Sequence, residues 1–323
     1  MELFSSASPE VVTDLTKLWF LQAKRKSSLH FLYHLIPNSL ALIHLFMQKL
    51  QQDDNYIVIM FKNESSSMIG YAELFVSAYS PTSAIDQVAH IWSYYFPNSS
   101  IQDQALRFII QYLQPRVKFI FYRADLSQQD ILSIFQTKGF VSVQERWVAE
   151  TDVSAVLTPT VPLSITIRKA NEQDFPQVAL LWLKQNQFHR QFHEMHIIKE
   201  GATQIWCTKA QEKQKTSEYK CFVAVAKNQN NKIIAYVESE IRTYPPWYCI
   251  EKYGLIQTLY VLPSYRRQGI AQCLVKTIIK EFLSSLSSPN PIMIDVDKRN
   301  HLAQKFWTKL GFRPRQVLLA KKC

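Results

Sequence analysis

Period-two alternation marks "LSITIRKA" (163–170) as a strand, and the spacing then turns helical over "NEQDFPQVALLWLKQ" (171–185). Asn171 is placed to cap that helix, with Val178, Leu181 and Leu183 on its apolar side. A second helix is expected over about 189–212. "KCFVAVAK" and "KIIAYVESEI" are two strands joined by the polar turn "NQNN", a hairpin signal. "GLIQTLYVLP" is a further strand, then comes a glycine turn and a helix over about 269–284. "PIMIDVD" is a buried strand, "NHLAQKFWTKL" a helix stopped by Gly311, and "FRPRQVLLAK" the last strand.

The first half follows the same order. Helices are expected near 8–24 and 39–51, then a hairpin "YIVIMF…MIGYAELFVS", a strand "QVAHIWSYYF" and a helix over about 101–113. A strand "VKFIFYR", a helix ending in "IFQTKGF" and a strand "VSVQERWVAE" complete it. "TDVSAVLTPTVP", with two prolines and little periodicity, divides the halves as a linker over 151–162. The pattern is that of a duplicated mixed α/β (α+β) domain, 1–150 and 163–323.

Composition narrows this. A hydrophobic fraction of 47% with 20% charged residues describes a folded globular chain. Five cysteines, an odd number without a CxxC pair, argue against a disulfide framework or a metal site and for a reducing compartment. "MELFSSASPEVV" has no basic start followed by an apolar run, so no signal peptide is expected. "FLYHLIPNSLALIHLFM" (31–47) is too short and too interrupted for a span, and no membrane partner is expected. The net charge of +11 favours anionic partners such as a phosphorylated small molecule, nucleic acid or anionic lipid.

One of only six glycines stands in "PSYRRQGIAQ" (263–272), between Arg266-Arg267 and a helix. The first helical turn leaves N–H groups unpaired at the positive end of the helix dipole, which suits a diphosphate. Gly269 keeps the approach open, Ala271 keeps the next wall low and the arginines supply charge. Glycine there also satisfies a left-handed backbone angle, the plainer reading.

"LYVLPSYRRQGIA", with Arg-x-x-Gly-x-Ala from Arg266 to Ala271, resembles motif A of the Gcn5-related N-acetyltransferases (GNAT). "NHLAQKFWTKLGF", Asn300 to Phe312, resembles their motif B. The resemblance implies a tandem pair of GNAT folds, acetyl-CoA as co-substrate and no metal. It places the diphosphate on the backbone amides of about 267–272 (Arg267, Gln268, Gly269, Ile270, Ala271 and Gln272), with Arg266 beside it. Pantetheine would lie along strand 256–261, with Leu259, Tyr260 and Val261 also offering N–H donors to the oxyanion, in the gap where that strand and "PIMIDVD" splay apart, and with Asn300, Ala303, Phe306 and Trp307 on the motif B helix. In the first half "FPNSSIQDQAL" laid over "LPSYRRQGIAQ" puts Ser100 at Arg266 and Asp103 at Gly269, so that half reads as degenerate and without acetyl-CoA. The overall architecture, rather than a motif, also resembles tandem GNAT effectors of intracellular bacteria, the VipF type.

The family reaction is direct attack of a neutral primary amine on the thioester. Something must therefore take the proton of an ammonium with a pKa near ~10.4. Glu238 and Glu240, on one face of their strand with Tyr236, are the candidate bases. Tyr260 could donate to substrate or thiolate. The place of the usual motif B tyrosine is taken by Trp307, which cannot give up a proton, and by Phe135 in the first half. "TYPPWYC" (243–249) is a candidate wall for the acceptor, and His301 simply starts its helix. The expected function is N-acetylation of a small molecule, or of a protein lysine or N-terminus, which includes a host protein. The alternative is a CoA-binding regulatory or interaction module. Nucleic acid rests on charge alone and is not expected. The expected location is the cytoplasm, or a host cytosol after delivery by a bacterium.

Overall fold

The structure is a computed structural model that describes residues 2–4, 9–27, 35–50, 52–63, 65, 67–96, 98–149, 160–286 and 290–323. Its N-terminal half runs β1 (Glu2–Phe4), α1 (Pro9–Ser27), α2 (Ser39–Leu50), β2 (Tyr56–Lys62), β3 (Met68–Ser77) and β4 (Val88–Tyr95). It continues with α3 (Ser99–Leu113), β5 (Phe119–Asp125), α4 (Gln129–Thr137) and β6 (Val141–Ala149). The C-terminal half repeats that order with β7 (Ile165–Lys169), α5 (Phe175–Arg190), α6 (Ala202–Gln214), β8 (Tyr219–Ala226), β9 (Lys232–Thr243) and β10 (Lys252–Val261). Then come α7 (Ile270–Ser285), β11 (Ile292–Asp297), α8 (His301–Lys309) and β12 (Phe312–Lys322).

The second helix of this half departs from the sequence expectation. Residues 191–201 interrupt it: they hold a short 3-10 turn at Glu194–His196, and Gly201, with φ 72°, starts α6. The β-branched pair Ile197-Ile198 favours the extended backbone found there. Most of the expected linker, 151–159, lies outside the described residues. No described helix is long and apolar enough to cross a membrane.

All twelve strands form one mixed sheet in the order β1-β2-β3-β4-β5-β12-β6-β11-β10-β9-β8-β7. The halves exchange their last strands: β12 pairs with β5, and β6 pairs with β11. Among the described residues, only β4–β5 and β10–β11 run parallel. An ion pair crosses the exchange, with Asp295 of β11 held by Arg146 of β6 (2.8 and 3.0 Å) and Arg123 of β5 (3.1 Å). Burial pushes the Asp295 carboxyl up, but the two guanidiniums outweigh it and hold the group below the usual carboxylate range.

Helices cover both faces. On one face α7 packs Ile270, Leu274, Val275, Ile278, Ile279 and Phe282 into the core, and Gly254 of β10 leaves room for the Phe282 ring. On the other, α5 and α6 lie over β8 and β9, where the Tyr236 hydroxyl donates to Gln185 Oε1 at 2.8 Å and Trp206 meets the Tyr236 ring edge-on. Two loops clasp the halves reciprocally. Ser83, from the β3–β4 loop, bridges to Ile198 between α5 and α6, and Tyr248, from the β9–β10 loop, bridges to Leu35 before α2.

Candidate functional site

The strand, turn and helix at 252–285 hold a group of main-chain donors with no backbone acceptor among the described residues. The Arg266 N–H bonds to Pro263 O at 3.2 Å, and the next N–H with a backbone acceptor is that of Cys273, on Gly269 O at 3.0 Å. Between them the N–H groups of residues 267–272 have no backbone acceptor among the described residues. Arg267 (φ 64°) and Gly269 (φ 76°) are both left-handed, the backbone alternation that gathers N–H groups into an anion-binding concavity. Gly269, at the N-cap, has no side chain with which to cap the helix.

Arg266, Arg267, Gln268 and Gln272 are exposed around this turn, Ala271 is half-buried and Ile270 is buried in the core. Arg266 Nε donates to Val261 O at 3.0 Å, and its guanidinium lies 5.8 Å from the Tyr260 ring centroid. What fills the space of a side chain at 269 is the carbonyl of Thr160, which a Cβ would meet at 2.5 Å. Close approach and left-handed angle together exclude other residues, and the close neighbour in this structure is the chain entering the second half.

Beside the turn the sheet parts. β10 and β11 pair only from Gly254–Ile292 to Ile256–Ile294, and a bulge at Gln257 follows. Beyond it Leu259, Tyr260 and Val261 pair with β9 alone, which leaves the β11-facing edge of β10 without a ladder partner. Leu259 and Tyr260 are half-buried and Val261 is buried.

Register decides which side chains face the parting. Tyr219, Cys221, Tyr236, Glu238, Glu240 and Thr258 share the face covered by α5 and α6. Glu238 is 5% exposed and accepts from Thr258 Oγ1 at 3.1 Å. Burial raises its carboxyl above the ordinary range, and the Lys213 ammonium opposes that rise. Glu240 is bound by Lys213 and by Arg242 at 3.1 Å. Both oxygens of Glu240 are thus taken by cations, whereas Glu238 is bonded to the neutral Thr258 hydroxyl.

On α8, Asn300 spends its Oδ1 on the Ala303 N–H at 3.1 Å, as a helix cap. Ala303 and Phe306 are half-buried. Trp307 is 3% exposed, edge-on to Phe306 (5.0 Å) and Phe312 (5.1 Å). It is a core residue. His301 is the first residue of α8 and contacts Gln304.

The aromatic loop expected at the acceptor mouth lies elsewhere. Trp247 is buried in the other half's core, edge-on to Trp19 (5.0 Å) and Phe46 (4.8 Å), and its carbonyl accepts from the Ile36 N–H at 3.0 Å. Its apolar surface anchors the clasp between halves.

The first half needs a second correction. Asn98, not Asp103, stands at the start of α3, and its side chain accepts from the Ser100 N–H at 2.8 Å. With the bulges of β4 and β10 superposed, Ser93 matches Thr258, and the connection to the helix is then shorter by six residues. The basic turn is missing there, and Asp103 lies a full turn into α3, paired with Arg107 and Lys138.

The same superposition aligns a polar set in the two halves. Tyr56, Tyr71 and Glu73 match Tyr219, Tyr236 and Glu238, and Asp125 matches Asp297. Tyr71 donates to Gln22 Oε1 as Tyr236 does to Gln185 Oε1, both at 2.8 Å, so α1 and α5 align as well. Glu73 accepts from Trp19 Nε1 at 2.8 Å and from the Tyr56 hydroxyl. Burial raises its carboxyl too, against the bonds from Tyr56 and Trp19.

Three residues near the parting gave no clear motif. Asp297 ends β11 with its side chain 2% exposed, and His196 Nε2 lies 4.0 Å from its Oδ2. The His189 ring is 5.3 Å from that of His196. The available signal was three histidines within "HRQFHEMH" (189–196).

Residues 180–312 match the acetyltransferase (GNAT) family model. No curated protein matches the chain. Among solved structures, a GCN5-related N-acetyltransferase from Sphaerobacter thermophilus is similar with a TM-score of 0.63 at 15% identity, covering 98% of this chain and 94% of that one. A tandem GNAT protein from the clavulanic acid biosynthesis pathway gives 0.55 at 13% identity, covering 83% of this chain and 82% of its own. A conserved protein of unknown function from Staphylococcus epidermidis gives 0.51 at 12% identity, over 82% and 95%. These likenesses establish the tandem fold.

Proposed function

Because residues 180–312 form a GNAT-family domain, whose fold serves acyl transfer from acyl-CoA, we propose that the C-terminal half acetylates a primary amine from acetyl-CoA. The observation that carries this reading is the uncapped, donor-rich turn at 266–272 beside the parting of β10 and β11. The diphosphate would sit on the N–H groups of residues 267–272, with Arg266 and Arg267 adding charge. Pantetheine amides would pair with the free edge of β10 beyond Ile256, as an added strand does. That places the thioester in the parting, near the face on which Glu238 is buried.

Glu238 is the proposed base. A carboxylate whose pKa is raised by burial holds a proton better than an exposed one, and Thr258 fixes its position. The amine loses its proton to Glu238, its nitrogen attacks the thioester carbon, and an N–H on the edge of β10 at 259–261 receives the developing oxyanion. Collapse of the intermediate breaks the C–S bond, and the second proton of the attacking nitrogen passes to solvent. The thiolate leaves unassisted, since a thiol pKa near ~8.5 makes it a tolerable leaving group and Trp307 has no proton to lend. The acceptor is an amine of a small molecule, or a lysine or N-terminus of a protein.

The buried Trp307 also suits a second reading, a CoA-binding regulatory module. Release of free thiol from acetyl-CoA with a broad amine panel separates the two. Amine-dependent turnover supports transfer, whereas acetyl-CoA binding without turnover across the panel supports the regulatory role.

A further inference from the structure

The aligned polar sets differ at one place. Counting from the Gln22–Gln185 match, Lys26 on α1 corresponds to His189 on α5. In the N-terminal half Lys26 lies close enough to Glu73 and Asp125 for both carboxyls to raise its pKa, against burial, which outweighs them and lowers it. That half therefore has a lysine of its own on the helix face that neighbours its two carboxyls. The C-terminal half keeps both carboxylates, as Glu238 and Asp297, and has an imidazole where the lysine was.

The acids are otherwise built alike. Asp125 Oδ1 accepts from the Ser127 N–H at 2.9 Å, and Asp297 Oδ1 from the Arg299 N–H at 2.8 Å. Arg299 Nε is 3.8 Å from that same oxygen. Asp297 Oδ2, on the other side, is buried and has no hydrogen-bond partner among the described residues, and neither has His196 Nε2 opposite it. Two such atoms in a protein interior are costly unless something donates to them. They are 4.0 Å apart, too far to bond each other, but one N–H-bearing group about 2.8 Å from each would satisfy both. Burial, with His189 and His193 close by, pushes the His196 imidazole down to about 3, so it stays neutral and can accept. Its ring does not compete with an arriving cation.

We propose that the C-terminal half receives the ammonium group of its acceptor beside Asp297 and His196, in the place where the N-terminal half carries Lys26. The ligand class is a primary alkylammonium with an unbranched arm, the chemistry of the lysine it replaces. The site and Glu238 lie on one face of the sheet, on either side of the parting, so the bound amine needs only to shed its proton and turn to the thioester. The N-terminal copy is plugged by its own side chain and takes no acceptor. This assignment rests on the acetyl-transfer reading for its purpose, but not for its detection.

The test uses the full chain labelled with 15N-histidine and titrated with n-butylammonium chloride, with potassium chloride as the ionic control. Saturable shifts of the His189 and His196 resonances are expected with butylammonium and not with potassium. Asp297→Asn should abolish them. His189→Lys, which copies the N-terminal arrangement, should also block them while acetyl-CoA affinity by calorimetry stays within twofold. Absence of a saturable shift in the wild type, or its survival in His189→Lys, would overturn the proposal. Saturable shifts in a protein that fails to bind acetyl-CoA would refute the acetyl-transfer reading and leave the ammonium site standing.

Discussion

Glu73 and Glu238 occupy the same register position in the two halves, each buried on the middle strand of an antiparallel trio and each opposite a hydroxyl residue, Ser93 or Thr258. Among the described residues, a donor-rich turn lies on the neighbouring strand's exit beside Glu238 and not beside Glu73. Glu238→Gln should therefore lower kcat by about 10²–10⁴ with acetyl-CoA affinity unchanged, and Glu73→Gln should leave kcat intact. Steady-state kinetics beside calorimetry checks both.

The same burial has a consequence for stability. Glu73 has a folded pKa above its unfolded value, so the folded state binds the proton more tightly. Its contribution is greatest below the unfolded pKa and is lost as pH rises towards the folded one. Urea midpoints should fall more steeply above about pH 4.3 in the wild type than in Glu73→Gln. Parallel profiles would contradict this.

Asp295 behaves in the opposite sense. Its pKa is depressed by Arg123 and Arg146 against burial, so its stabilisation is present above the unfolded value and lost as pH falls towards the folded one. Asp295→Asn removes the carboxylate that Arg146 and Arg123 share at the strand exchange and should cost about 3–5 kcal/mol at pH 7. The difference between variant and wild type should shrink in urea titrations below about pH 4.

Trp307 is embedded between Phe306 and Phe312, with no proton to transfer. Trp307→Phe should lower the melting temperature and keep kcat within a few-fold. A loss of several orders of magnitude at unchanged acetyl-CoA affinity would make the indole a catalytic residue.

Periodicity and turn chemistry revealed the element order of both halves, because each strand and helix writes its burial into local spacing. The strand exchange left no such trace: β6 and β12 read as apolar strands whichever neighbour they join. The mispositioned Asp103 arose for a related reason. Pro97 and Pro263 invited an ungapped overlay, while the bulges at Trp92 and Gln257, which set the true correspondence, are fixed by pairing across strands. The glycine turn itself was legible, since Gly269 takes the left-handed angle that a glycine between a strand and a helix serves. His196 and Asp297 lie far apart in sequence and meet only through the loop between α5 and α6.

The most direct measurement is calorimetric titration of the full chain with acetyl-CoA. One site per chain is expected, lost in Gly269→Asp, where the left-handed angle and the Thr160 carbonyl exclude the new side chain. Asp103→Ala should leave that site unchanged, because Asp103 lies within α3 and away from its N-terminus. Two sites, or one that persists in Gly269→Asp, would contradict a single acyl-donor site at the 266–272 turn.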